Sequence, residues 1–192
     1  MRKTKAFSLP PYNHTFGIYD ANLGLREVFH EFTDQTMTQG FSRHPGSYNF
    51  YPFTYCMHLS IEVWLADPQD EVVLNPNTVR AIMVPYSVPK AGVKISDLLT
   101  LVEELTPIPE GDYALVFELW PEDEQASLDR SSDQDYSEYG FENEYSTLTF
   151  YPSTTPVMPE ILRVDRWTSP PNLDTYWPLN PVYPLVMEVG LA

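Results

Sequence analysis

The feature that most restricts what this chain can fold into is a period of two. From Tyr55 to Ala66, the residues Tyr55, Met57, Leu59, Ile61, Val63 and Leu65 fall on one side of an extended chain, and Cys56, His58, Ser60, Glu62 and Trp64 on the other. Successive side chains of a strand point to opposite faces, so this pattern buries one face and wets the other. The first set is expected in the core. Tyr113, Leu115, Phe117 and Leu119 repeat the pattern after Pro109-Glu110-Gly111-Asp112, which reads as a tight turn.

Weaker signals fill the rest of the chain. Tyr12 to Tyr19 alternates, with His14, Phe16 and Ile18 on one side and Thr15, Gly17 and Tyr19 on the other, as a first strand with one buried face would. Thr33 can cap a short helix that has Asp34 in its first turn and closes on Gly40. Tyr48 to Tyr51 is a brief strand between Pro45-Gly46 and Pro52. Asp67 to Asp70 and Asn75 to Asn77 are turns, and Val79 to Val84 is an extended run expected to end at Pro85 and to be continued by Val93 to Ile95. The apolar residues between Asp97 and Leu105 suit either period and are read as a strand. Ser146 to Tyr151, Ile161 to Val164 and Tyr183 to Val189 complete the strand candidates.

Five to eight short strands with at most one or two helical turns describe an all-β fold, either a β-sandwich or an open barrel. Composition agrees: 13 Tyr and 10 Phe suit pleated surfaces, and 19 Pro break helices and punctuate short strands. A length of 192 residues suits a single domain, 1–192. Its expected parts are a β-sandwich core, 12–151, containing an acidic loop, 121–144, and a Pro-rich C-terminal extension, 152–192, with one or two strands.

Charge narrows the function classes. The formal net charge is -16, which repels nucleic acid and anionic lipid, so neither direct nucleic-acid binding nor a membrane surface is expected. Three of the 11 basic residues, Arg2, Lys3 and Lys5, lie in the first five positions, leaving the body still more acidic. The complementary partner is a basic protein. The single cysteine, Cys56, excludes an internal disulfide and fits a reducing compartment, so a cytoplasmic location is expected. No apolar run approaches the roughly 20 residues needed to span a bilayer.

Catalytic signatures are missing. There is no Gly-x-Ser-x-Gly elbow, no His-Glu-x-x-His spacing among His14, His30, His44 and His58, and no glycine-rich phosphate loop. His14 and His58 both fall in expected strands and could still meet in space around a metal, but a satisfied structural histidine is the commoner outcome. With 27 acids, a carboxylate pair at glycosidase spacing would arise by chance. A calcium loop on Asp129, Asp133 and Asp135 lacks the required Gly and twelfth-position Glu. The expectation is a protein that is not an enzyme and carries no cofactor or metal.

The stretch from Glu122 to Glu144 stands apart, with nine acids against Arg130 alone and with Trp120, Tyr136, Tyr139, Phe141 and Tyr145 interleaved or flanking. Acids steer a basic partner and aromatic rings anchor it. The candidate partner-binding residues are Glu122, Asp123, Glu124, Asp129, Asp133, Asp135, Tyr136, Glu138 and Tyr139. A solvated loop whose charges only aid solubility is an equally good account of the composition.

Five segments in sequence order resemble the competence protein J family, small bacterial inhibitors of the nuclease through which DNA enters the cell. They are Tyr12 to Asp20, then Phe32 to Phe41 with its aromatic, Thr-Asp, helical turn and Gly-aromatic, then Pro45 to Phe50. Arg80 to Val88 followed by Gly92 to Ile95, and Ile108 to Glu118, complete the series. The resemblance covers Tyr12 to Glu118, and the chain departs from the pattern beyond it. It implies an intracellular, non-enzymatic inhibitor or immunity-type protein that binds a nuclease, with a polyanionic surface imitating DNA phosphates as one means. The rival reading is a β-sandwich that binds carbohydrate or another small ligand on Trp64, Trp120, Trp167 or Trp177, although core packing is the commoner fate of such rings.

Overall fold

A computed structural model describes residues 1–9, 15–24, 28, 33–52, 58–97, 103–121 and 143–164. Among these residues the chain forms strands β1 (Arg2–Leu9), β2 (Phe16–Asp20), β3 (Phe41–His44), β4 (Ser47–Phe50), β5 (His58–Leu65) and β6 (Arg80–Val88). Strands β7 (Val93–Ser96), β8 (Glu103–Thr106), β9 (Gly111–Pro121), β10 (Asn143–Pro152) and β11 (Glu160–Arg163) follow, and helix α1 (Asp34–Gln39) lies between β2 and β3. The strands make a six-stranded sheet, order β1-β5-β10-β9-β6-β11, and a five-stranded sheet, order β3-β4-β2-β7-β8. The fold is all-β, in two sheets without barrel closure.

The two firmest alternations do what their period requires. Leu59, Ile61 and Val63 of β5 and Leu115, Phe117 and Leu119 of β9 are completely buried, and Tyr113 nearly so. They meet Phe16, Ile18, Phe41, Tyr48 and Phe50 from the facing sheet in one apolar cluster. Phe117 stacks on Phe50 at 4.6 Å between ring centroids, which joins the sheets at their middle. Burying one such side chain contributes roughly 1.5–3 kcal/mol.

The helix is capped as the sequence implies. Thr33 Oγ1 accepts the Thr36 N–H at 3.2 Å, and Thr36 Oγ1 in return accepts the Thr33 N–H at 3.0 Å. Gly40 then takes a left-handed φ of +83°, and a Cβ there would sit 3.1 Å from Ile82 Cδ1, so conformation and space both call for glycine.

Several expectations need correction. Pro85 does not end its strand: β6 runs on to Val88, with Pro85 opposite Ala114 of β9. The other flank of β6 is paired with β11 only at Ala81 to Met83, so Pro85 lies where that flank is an edge and proline is tolerated. Val93 to Ile95 does not continue β6 either, since β7 pairs with β2 in the opposite sheet. The first strand buries both faces, because Tyr19, opposite to Phe16 and Ile18, packs with Val28 and Leu23 in a separate cluster.

The eleven strands among the described residues exceed the five to eight expected, and two of the additions have physical reasons for being silent in the sequence. Strand β1 is mostly polar and exposed, and is held by its antiparallel ladder to β5 from Arg2↔Leu65 to Leu9↔Leu59. Strand β3 has four residues, too few to display a period. The strand expected at Tyr183 to Val189, and the parts of other expected strands at 12–14, 55–57 and 98–102, lie outside the described residues.

The outer face of the six-stranded sheet is also covered. Ala66, Val116 and Tyr151 form a buried cluster there with Leu74, Met83, Ala114 and Leu162 against it. Glu118, on the same face, is 6% exposed. Its carboxylate accepts the Asn75 N–H at 2.8 Å and the hydroxyls of Thr78 at 2.6 Å and Thr147 at 3.2 Å, which fastens the 66–79 connection to the sheet.

Candidate partner-binding surfaces

The acidic segment leaves β9 at Pro121 and returns into β10 at Asn143, and the register pairs Pro121 with Glu144 and Trp120 with Tyr145. The two ends of the segment are therefore neighbours on the central hairpin of the six-stranded sheet. Trp120 and Tyr145 stack at 6.2 Å with their planes 15° apart, so these two of the five rings noted in the sequence pair with each other at its root. Glu144, counted among the loop acids, belongs to β10 and is completely buried. The candidate residues Glu122, Asp123, Glu124, Asp129, Asp133, Asp135, Tyr136, Glu138 and Tyr139 all lie outside the described residues.

Charge on the described surface is unevenly matched. The two lysines of the N-terminus lie on β1 and face acids of their own chain: Lys3 Nζ meets Glu62 Oε1 at 2.5 Å, and Lys5 Nζ meets Glu104 Oε2 at 2.5 Å. Lys5 also donates to the Leu105 carbonyl at 2.9 Å, so this side chain from the edge of one sheet closes on the edge strand β8 of the other. An edge lysine of this kind keeps a second chain from adding to the ladder. On the same strand, Glu103 meets Lys94 Nζ at 3.1 Å and accepts the Tyr19 hydroxyl at 2.6 Å. The Tyr19 hydroxyl and Lys94 hold the Glu103 carboxyl below its ordinary range, and burial together with that carboxylate pushes the Tyr19 phenol far up. The N-terminal amine meets Asp67 at 3.3 Å and Asp70 at 2.9 Å.

The opposite situation holds at the start of β9. Glu110 and Asp112 are exposed and form no ion pair among the described residues. Asp112 Oδ1 accepts the Ser87 hydroxyl at 2.6 Å across the β6–β9 ladder.

The residues singled out for other chemistry divide as follows. Trp64 is half-buried; Lys3 Nζ sits 5.3 Å from its ring centroid and its Nε1 donates to Glu62 Oε2 at 3.1 Å, so one ring face already has an occupant. Trp167, Trp177, His14, His30 and Cys56 lie outside the described residues, as does the side chain of His58. Among the described residues no group of three or more His, Cys, Asp or Glu could hold a metal ion. No helix among them is long and apolar enough to cross a membrane.

Two sheets on one aromatic core, with carboxylates displayed at loop ends and lysines retained by the chain's own acids, define an acidic all-β protein. The chain belongs to the Competence protein J (ComJ) family, whose model matches residues 13–143. The fold is similar to that of ComJ from Bacillus subtilis, described as an inhibitor of the DNA degrading activity of NucA. That likeness has a TM-score of 0.58 at 17% identity, over 79% of this chain and 98% of the other. A second solved structure, described as Crocagin biosynthetic gene J, aligns at a TM-score of 0.41 and 12% identity, over 80% of this chain and 99% of that one. No curated protein matches.

Proposed function

We propose that the chain is a proteinaceous inhibitor that binds a DNA-degrading nuclease and makes or breaks no bond itself. The observation that carries this reading is membership of the ComJ family over residues 13–143, joined to a fold shared with an inhibitor of NucA. Charge supports it. A nuclease must attract a polyanion, so its substrate cleft is cationic, and a protein of net charge -16 is drawn to the same field.

Within this reading the segment between β9 and β10 is the principal contact. Glu122, Asp123, Glu124, Asp129, Asp133, Asp135 and Glu138 supply the steering charge, and Tyr136 and Tyr139 the anchoring area. The site of action is the cytoplasm, the partner is basic, and no cofactor takes part.

The test is digestion of DNA by a ComJ-sensitive nuclease with increasing amounts of the purified chain. Digestion should stop near stoichiometric inhibitor, with potency falling as salt rises because the steering charges are screened. Undiminished digestion at large excess overturns the proposal. Exchanging the seven acids for Asn and Gln should weaken inhibition by at least about a hundredfold, roughly the loss of one or two strong contacts.

A further inference from the structure

Sheet order forces the β10–β11 connection past β9 and β6, because both strands lie between β10 and β11. A groove of about 460 Å³ lies between this connection and the end of the β6–β9 ladder, with Pro85, Ser87, Asp112, Ser153, Thr155 and Pro156 among its lining residues. The Ser153 N–H donates to the Asp112 carbonyl at 2.9 Å, which fixes one wall to the other.

The charge of the lining is one-sided: Asp112 is its single ionised group, and the Thr154 and Thr155 hydroxyls can donate or accept. Ser87 and Asp112 are register partners, so their side chains leave the same face of the β6–β9 ladder. A serine hydroxyl has a single proton, and that of Ser87 is committed to Asp112 Oδ1 at 2.6 Å. The Ser153 hydroxyl proton is likewise committed, to the Thr155 carbonyl at 2.7 Å. Ser87, Ser153 and the Asp112 carboxylate therefore offer lone pairs to an incoming group, and no Lys, Arg or His lines the groove. Pro85 and Pro156 supply flat apolar wall beside this acceptor set, while the rings of Tyr86 and Tyr113 turn to the opposite face of the sheet, into the core.

The complement of such a site is a planar cation that only donates. A guanidinium has five N–H donors in a fixed fork and a weakly hydrated face that lies against apolar or aromatic wall; an ammonium has neither property. We propose that this groove receives an arginine side chain of a basic protein partner. That the partner is a nuclease rests on the inhibitor reading above, whereas the preference for arginine rests on the groove alone. The groove lies apart from the root of the acidic segment: Asp112 precedes Pro121 by 121 − 112 = 9 residues of extended strand, or about 30 Å at roughly 3.3 Å per residue.

The test follows backbone amide signals while the full chain is titrated with a blocked Gly-Arg-Gly peptide and with its Gly-Lys-Gly counterpart. The arginine peptide should produce saturable shifts confined to Ser87, Asp112, Ser153, Thr154 and Thr155, and the lysine peptide should bind more weakly. D112N retains the main-chain carbonyl that accepts Ser153 and should fold normally, yet lose these shifts. Absence of shifts at these amides, equal shifts in D112N, equal binding of the two peptides, or shifts spread over the whole acidic surface would each overturn the proposal. With a nuclease that the unaltered chain inhibits, D112N should be about tenfold less potent; equal potency overturns the groove as a partner contact. A nuclease untouched by the unaltered chain counts against the inhibitor reading, while the peptide titration still decides the groove.

Discussion

The β1–β8 flank and the end of the β6–β9 ladder carry the same kinds of residue and use them in opposite ways. On the flank, Lys3, Lys5 and Lys94 each have a carboxylate of the chain within 3.1 Å, and the acids of β5 and β8 are correspondingly neutralised. At the ladder end, Glu110 and Asp112 have no such cation among the described residues. A net charge of -16 therefore does not describe an evenly negative surface. Where acids are consumed by the fold they contribute to closing the sandwich, and where they are not they remain available to a partner. Position in the ladder decides which.

Strand β9 supplies the middle of the core as well as one side of the β6–β9 ladder, and the largest expected effect is on it. Phe117→Ala removes a fully buried ring stacked on Phe50 and should cost about 3–5 kcal/mol, read as a lower urea midpoint at unchanged slope. Loss of inhibition there without loss of stability would contradict the core role. Glu118→Ala comes next. It deprives the Asn75 N–H and the Thr78 hydroxyl of their acceptor beneath the 66–79 connection and should cost about 1–3 kcal/mol. Amide exchange at Asn75 should accelerate as well; unchanged protection would show that the connection is held by its apolar contacts alone.

Smaller effects separate the two regions. The Glu103 carboxyl is held low chiefly by the Tyr19 hydroxyl and then by Lys94, so its contribution is fully present above its unfolded value and lost as pH falls through the lower folded value. Tyr19→Phe should thus destabilise by about 0.5 kcal/mol at neutral pH, a small figure because Glu103 is exposed, and by nothing once Glu103 is protonated in both states. A pH-independent difference would assign the loss to packing instead. Lys5→Met should cost at most about 1 kcal/mol, with the difference shrinking at high salt. Neither variant should alter inhibition, since both act where charge is internally matched.

The legibility of the fold follows from burial. Strands β5 and β9 are plain in the sequence because one face of each is dry, and the period of two is then unavoidable. Strand β1 is invisible because its stability comes from the ladder to β5 and from lysines meeting acids far along the chain, at Glu62 and Glu104. Pro85 misleads because a proline ends a strand only when both flanks need donors. Glu144 illustrates the same limit for the site: composition groups it with the acids before it, whereas the register of β10 buries it. The pairing of Ser87 with Asp112, 25 residues apart, cannot be read from either neighbourhood; only the β6–β9 register brings them together. The family resemblance, carried by segments from Tyr12 to Glu118, is borne out by the match over 13–143.

We propose that this chain silences a nuclease by docking an acidic surface on it. Calorimetric titration of the chain into the isolated nuclease, at low and at high salt and with DNA absent, decides this. Saturable, stoichiometric binding that weakens steeply as salt rises is expected. No binding at low salt, or a complex of equal affinity at both salt levels, would contradict it.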